Sequence, residues 1–355
     1  MKTKLFVGLL LLTFWRVGQL VNWQLTTFIG RFSADRAVNY TASEATCAQG
    51  IYCSFTVAAA KFRSLASDNI QAVLPSPHSE LVMGMVLGEN RFAQLPKYND
   101  ILKTVGLVHV VVVSGYNISL VFTLLMRMLG SHYKARNLLV GLLCTFMYSG
   151  ISGFGVPAVR AWLMGSVAVI FKFYGRPVQG TRVLMFSALV MLCAAPEQLF
   201  TVSFMLSFLA TLGVMVVPEA LKVVWRLVGI KIEAALFEDF NTSLSAQLMV
   251  NPVIAYYFGT VSLVALIANP LVLWVVPLCT VVGGMLVFFT FVCPAVSRLL
   301  ALLLYPFLDV FVSFSEFFSS FNSASLHIDV GLYGILLYYL ILVLGVRLAR
   351  KASCD

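Results

Sequence analysis

His109, Ser114 and Asn117 sit together in one apolar stretch, "LVHVVVVSGYNISLVF", residues 107–122. A Ser with a His nearby raises nucleophilic catalysis. Five residues separate the two, about 140° around an ideal helix, so a direct hydrogen bond would require the helix to unwind. The four His, at 78, 109, 132 and 327, are scattered, and no H-E-x-x-H occurs, so a hydrolytic metal cluster is not expected. Nor is there a G-x-x-x-x-G-K-S/T loop to cradle the phosphates of ATP. The expectation is a protein that is not an enzyme, with no catalytic residue, no metal and no cofactor.

What remains is polarity in apolar surroundings. On one continuous helix, His109, Asn117 and Arg127 would fall within about 80° of one another. Such a face either lines a hydrated path or joins helices through interhelical hydrogen bonds, and the residues leave both readings open. Gly115 permits a kink or a close helix contact. Arg160 follows "SGISGFGVPAV", where Pro157 suits the first turn of a helix, placing Arg160 about one turn in. There it could snorkel, pair with an acid, or attract an anion beside a positive helix end. Gln247 and Asn251 share a face just before Pro252, and Asn269 immediately precedes Pro270. Asp309 and Glu316 are seven apart on one helix face. Intramembrane carboxylates are functional candidates by default; they could pair with Arg160 or accept protons.

The elements that hold these residues must suit lipid. Of 355 residues, 60% are hydrophobic and only 11% charged, against roughly 25% charged in soluble domains. Hydrophobic runs predict spans near 105–128, 138–152, 156–172, 183–196, 199–217, 240–258, 299–320 and 331–348. The run 261–293 exceeds the roughly 20 residues a span needs and contains Pro270 and Pro277. It reads as a broken or re-entrant helix pair with a net single crossing. With an uncleaved anchor at 1–22, the fold class is a polytopic α-helical membrane protein of about ten spans. The stretch 221–240 reads as a helix along the cytoplasmic face.

The net charge of +9 is concentrated between alternate spans: Lys134 and Arg136; Lys172, Arg176 and Arg182; Lys222, Arg226 and Lys231; Arg347, Arg350 and Lys351. If these groups are cytoplasmic, both termini are too, and residues 22–100 lie outside. A polyanionic substrate would explain the same excess. Within that outer segment, 50–62 and 69–74 read as strands, and 76–90 as an amphipathic helix capped by Ser76 or Ser79. Cys47 and Cys53 suit a short disulfide loop in an oxidising compartment, with two free thiols as the alternative. The organisation is an anchor over 1–22, a small extracytoplasmic module over 23–75 and a transmembrane domain over 76–350.

"GLVHVVVVSGYNISLVF" resembles the helix carrying H-x-x-x-x-S-G-x-N/H in ComEC-type competence channels. "GFGVPAVRAWLM", "PEQLFTVSFMLSFLATLGV" and "NPVIAYYFGTVSLVALIANPLVLWVVP" resemble further segments of that family, in the same order. The resemblance covers about 75–340. It matches His109, Ser114, Gly115, Asn117, Arg160, Ser203, Phe204, Ser207, Asn251, Pro252, Phe258, Asn269 and Pro277 to the family's membrane signatures.

It implies conduction of single-stranded DNA across the bacterial cytoplasmic membrane during natural transformation. Membrane lipid, a separate DNA receptor, a nuclease and a cytoplasmic ATP-driven helicase are the partners it implies. Many members add a metallo-β-lactamase-like domain after the membrane part, and nothing of that kind follows here, so strand degradation is expected to fall to another protein. An OB-like module, if present, would have to fit as a reduced one within 23–75. Two other classes compete: a proton-coupled transporter of a smaller solute using Asp309 and Glu316, and a non-transporting scaffold.

Overall fold

The structure, a computed structural model, describes residues 51–130, 134–227, 229, 235–321, 324–328 and 330–352. The anchor, the stretch 23–50 and Cys47 lie outside the described residues, and the disulfide with them; of the stretch 23–75 allotted to an OB-like module only 51–75 is described, and it is mainly helix.

The chain enters as a helix, α1 (Ile51–Gln71), where strands were expected. Ala59, Ala66, Ser67 and Ile70 are buried, at the i, i+7, i+8, i+11 spacing of one helix face. The Val and Ile residues that suggested strands are outweighed by an Ala58–Ala59–Ala60 core of strong helix formers and by tertiary packing. Phe62 stacks on Phe291, ring centroids 5.5 Å apart.

Next comes α2 (His78–Val82), continued without a gap by a π-helical turn, Met83–Leu87. All ten of these residues are buried, so this helix is not amphipathic. A helix apolar nearly all round needs cover on every side, and here α1, α12 and α13 supply it. Its cap is Pro77, with no capping side chain, rather than Ser76 or Ser79.

α3 (Pro96–Val105) leads to the second departure. The predicted span 105–128 is helical only as α4 (Gly115–Met128). Residues 107–114 are irregular yet largely buried, with Leu107, Val110, Val111 and Val113 inward. A run of β-branched Val resists helix, and irregular backbone survives at membrane depth when protein shields it. The segment crosses directly over Gly84, where any Cβ would strike the Val111 carbonyl. Glycine is what lets the two backbones touch.

Four helices then follow close to expectation: α5 (Ala135–Ile151), α6 (Val156–Phe173), α7 (Gly180–Ala194) and α8 (Val202–Val216). α9 (Pro218–Leu227) bends from α8 by 49°, and α10 (Ala235–Phe258) is separate, so 221–240 is not one helix. The long run divides into β1 (Thr260–Ser262), α11 (Ala265–Leu273) and α12 (Val275–Val292), broken at Trp274. α13 (Pro294–Ser319), β2 (Ser325–His327) and α14 (Leu332–Ala352) complete the chain.

β1 and β2 pair antiparallel, with Val261 opposite Leu326. The main core joins α1, α2, the π turn, α3 and 107–111 to α11–α13. α4, α5 and α6 pack as a second group. α7 and α14 turn Met185, Phe186, Leu336, Leu337, Leu340 and Ile341 outward, as lipid-facing helices do. Among the described residues four helices are long and apolar enough to cross a membrane, or five if the bent α8–α9 pair is one span.

Candidate functional site

The best-connected polar group starts at the π turn. A π turn loosens the regular ladder, and the Met85 carbonyl accepts from Asn117 Nδ2 at 3.0 Å. Asn117 is wholly buried, and its Oδ1 accepts from Ser114 Oγ at 3.3 Å. Ser114 is the N-cap residue of α4, extended at φ −96° and ψ 166°. Both ends of the amide are therefore satisfied, which is the condition for burying it in an apolar core.

One residue on, Gly115 faces Arg160 of α6. A Cβ at Gly115 would stand 3.2 Å from Arg160 Nη2 and 3.1 Å from Ala161 Cβ. The guanidinium fills the space that a larger residue would claim. Arg160 Nε donates to Ser207 Oγ of α8 at 2.9 Å, and its charge lies 5.9 Å from the centre of the Phe208 ring. Pro157 sits in the first turn of α6, as the sequence indicates. The π turn, α4, α6 and α8 thus meet through Met85, Ser114, Asn117, Gly115, Arg160 and Ser207.

Other predicted residues lie elsewhere. His109 is exposed in the irregular segment, its Nδ1 donating to the Gly106 carbonyl at 3.0 Å. It shares no helix face with Asn117, and Arg127 is exposed while Asn117 is buried. The proposed common face is therefore dissolved by the unwinding of 107–114. Ser203 is exposed on the first turn of α8. Gln247 and Asn269 approach a shared neighbour, Ser243, while Asn251 is half-buried one turn further along α10.

Arg160 pairs with neither acid. Asp309, 4% exposed, lies with Oδ1 3.5 Å from Nε2 of His78, itself 4% exposed. The His78 ring stacks on Tyr305, centroids 4.5 Å apart. Glu80, two residues after His78, accepts from Ser79 Oγ at 2.8 Å. Glu316 is half-buried two turns further along the same face of α13. His78 escaped the sequence reading because a lone His on an apparently amphipathic helix looks like surface.

A second missed feature is a clamp on the Pro252 kink. Pro252 has no N–H for the Leu248 carbonyl and disturbs the ladder beside it. Tyr338 Oη donates to that carbonyl at 3.0 Å, and Tyr339 Oη to Met249 O at 2.7 Å. The signal was available: two adjacent Tyr in a lipid-facing helix need partners for their hydroxyls.

The helices and their buried polar junctions define a polytopic membrane protein whose interior joins are made by hydrogen bonds. Residues 85–352 match the Competence protein family, and the chain belongs to it. It is also similar to an uncharacterized protein of Aquifex aeolicus (strain VF5), 30% identical over 203 residues, 53% of this chain and 48% of that one. ComE operon protein 3 of Bacillus subtilis (strain 168) is 24% identical over 217 residues, 60% of this chain and 26% of its own length. The chain thus spans about half of the first relative and about a quarter of the second. No solved structure matches.

Proposed function

We propose that this chain acts in DNA uptake during natural transformation, as a channel that passes single-stranded DNA through the bacterial cytoplasmic membrane. The observation that carries the reading is the setting of Arg160. Within a chain of the Competence family, a half-buried guanidinium is held by a hydroxyl and an aromatic face rather than by a carboxylate. Its positive charge stays available to a phosphate. Nε is committed to Ser207 and Nη1 makes a long contact with Met164 Sδ at 3.5 Å, a weak acceptor that a phosphodiester oxygen would displace.

Phosphate chains need a route of neutral or positive polar groups, because every nucleotide adds a charge. Arg160, Ser207 and Ser114 are of that kind. In this reading both termini are cytoplasmic, no cofactor is used, and a DNA receptor, a nuclease and an ATP-driven helicase act as separate partners.

The test is transformation frequency in Arg160→Ala and Arg160→Lys strains, with surface-bound DNA and protein abundance measured alongside. Lys keeps charge but loses the planar guanidinium fork, so it should fall between wild type and Ala. Arg160→Ala should lower DNA entry by about 10²-fold or more, while binding and abundance hold. Normal entry in Arg160→Ala would sink the reading.

The buried His78–Asp309 pair favours a second reading, proton-coupled transport of a smaller solute. Substituting Asp309 would then abolish uptake of that solute and leave DNA entry untouched.

A further inference from the structure

α4 carries a polar face that is left open. Tyr116, Ser119, Thr123 and Arg127 are all exposed, and on the helix they fall within about 80° of one another. The stripe runs about 16 Å along the axis, roughly half of a hydrocarbon core about 30 Å thick. Ser119 Oγ donates to the Gly115 carbonyl at 3.2 Å, and Thr123 Oγ1 to the Ser119 carbonyl at 2.8 Å. Each hydroxyl proton is therefore spent on the helix itself, and what remains is the capacity to accept.

The neighbours of α4 decide what that face looks onto. Six helices pack in a closed ring: α4 on α6, α6 on α8, α8 on α10, α10 on α11, α11 on α12, and α12 back on α4. Gly115 abuts Arg160 and Ala161 of α6, and Phe122 and Met126 abut Gly141 of α5, all about 80–120° to one side of Tyr116. Asn117 lies about 100° to the other side, bonded to the π turn that packs on α12. α5 backs α4 from the far side and turns Leu139, Leu143 and Met147 outward, as a lipid-facing helix does. The arc left for the stripe runs between α12 and α6, and that is the arc toward the middle of the ring.

Charge narrows the occupant. Among the described residues of these six helices the only carboxylates are Glu238 and Asp239, both at the start of α10. Arg127, Arg160 and Lys172 carry the opposite sign. Asp309 and Glu316 belong to α13, which is not one of the six. Cation pathways use rings of Asp and Glu, and this wall has none along α4, α6, α8, α11 or α12. Neutral hydroxyls between two guanidinium groups suit a polyanion instead.

We propose that the ring encloses a hydrated passage, that the Tyr116–Arg127 stripe is one wall of it, and that its occupant is single-stranded DNA. This rests on the reading of the chain as a DNA channel. Arg160 stands at one end of the stripe, its Nη2 3.2 Å from where a Gly115 Cβ would be, and Arg127 at the other. Between them the hydroxyls hold a moving chain weakly enough to let it go, which conduction requires. The exposed Tyr116 ring offers bases a surface to stack on.

The experiment has two arms, both on the full-length protein in its membrane. In the first, Ser119→Cys and Thr123→Cys meet a charged, membrane-impermeant methanethiosulfonate. Each site is read by mass spectrometry beside the native Cys144, exposed on α5. Both introduced thiols should react and Cys144 should not. Introduced thiols as inert as Cys144 would put the stripe in lipid and overturn the passage. The second arm compares Thr123→Glu with Thr123→Gln, which match in size and differ in charge. Glu should lower DNA entry per molecule of protein at least about tenfold below Gln. Equal entry in the two, with Arg160→Ala blocked, would overturn the stripe as the route and leave the channel reading standing. Normal entry in Arg160→Ala would sink the channel reading itself, and DNA as the occupant with it.

Discussion

Arg160 and Asp309 each place an ionisable side chain among membrane helices, and the two are settled in opposite ways. Asp309 is deeply buried and meets His78, a group able to carry the opposite charge, inside walls of Leu, Phe and Tyr. Arg160 is half-buried and meets a hydroxyl, a glycine and an aromatic face. The first arrangement brings two ionisable groups to within 3.5 Å of each other, away from solvent. The second leaves the guanidinium with no carboxylate partner among the described residues. What separates a brace from a contact site is whether an ionisable group able to take the opposite sign lies within reach.

The largest expected effect is at the brace. His78→Leu leaves the Asp309 carboxylate without its imidazole and should cost about 3–5 kcal/mol, and Asp309→Leu should cost nearly as much. The double substitution His78→Leu with Asp309→Leu should regain most of the loss. Denaturant unfolding in detergent, read as a double-mutant cycle, measures this. Additive losses would mean that the two residues do not act as a pair.

Asn117→Leu comes next. It leaves the Met85 carbonyl without a donor, and the expected cost is about 0.6–2 kcal/mol, seen as lower abundance and an earlier unfolding midpoint. Wild-type stability together with impaired DNA entry would move Asn117 from the brace class to the contact class.

Arg160→Ala should be the mildest for stability. It forfeits the Ser207 bond and the Phe208 contact but also removes the desolvation of a half-buried charge, so the net should stay within about 1 kcal/mol. A loss of 3 kcal/mol or more would erase the contrast and make Arg160 a second brace.

The sequence revealed the parts that lipid dictates. α5, α6, α7, α8 and α13 begin and end within a few residues of the predicted spans, because apolar runs, Pro at helix starts and basic flanks are local signals. In 261–293 Pro270 and Pro277 both lie within helices, and the interruption between α11 and α12 is the single residue Trp274, at φ −65° and ψ −23°. Failures came where tertiary contact overrode local pattern. α1 looked like strands because its Ile and Val residues were weighed without the α12 surface they pack on. Residues 107–114 looked like the start of a helix because nothing in their own letters announces Gly84, a residue more than twenty positions earlier.

The site shows the same division. Arg160 near the start of α6 was readable from Pro157. Its partner Ser207 was among the matched signature residues, but their meeting was not. His78 beside Asp309 could be seen only once α2 was packed against α13, since 231 positions separate the two in sequence.

The pairing of β1 with β2 sets a parity rule on the chain. Thr260 lies opposite His327 and Ser262 opposite Ser325, so the two ends of this long excursion are side by side, and a ribbon at a membrane surface holds both on one side. Between them the chain must therefore traverse the bilayer an even number of times, whichever face the ribbon occupies. With α13 as one traverse, α11 and α12 together must amount to an odd number, and the break at Trp274 then divides a single passage rather than turning the chain back. An epitope inserted after Ser262 and another just before Ser325 must report the same compartment, and this holds with no knowledge of where either terminus lies.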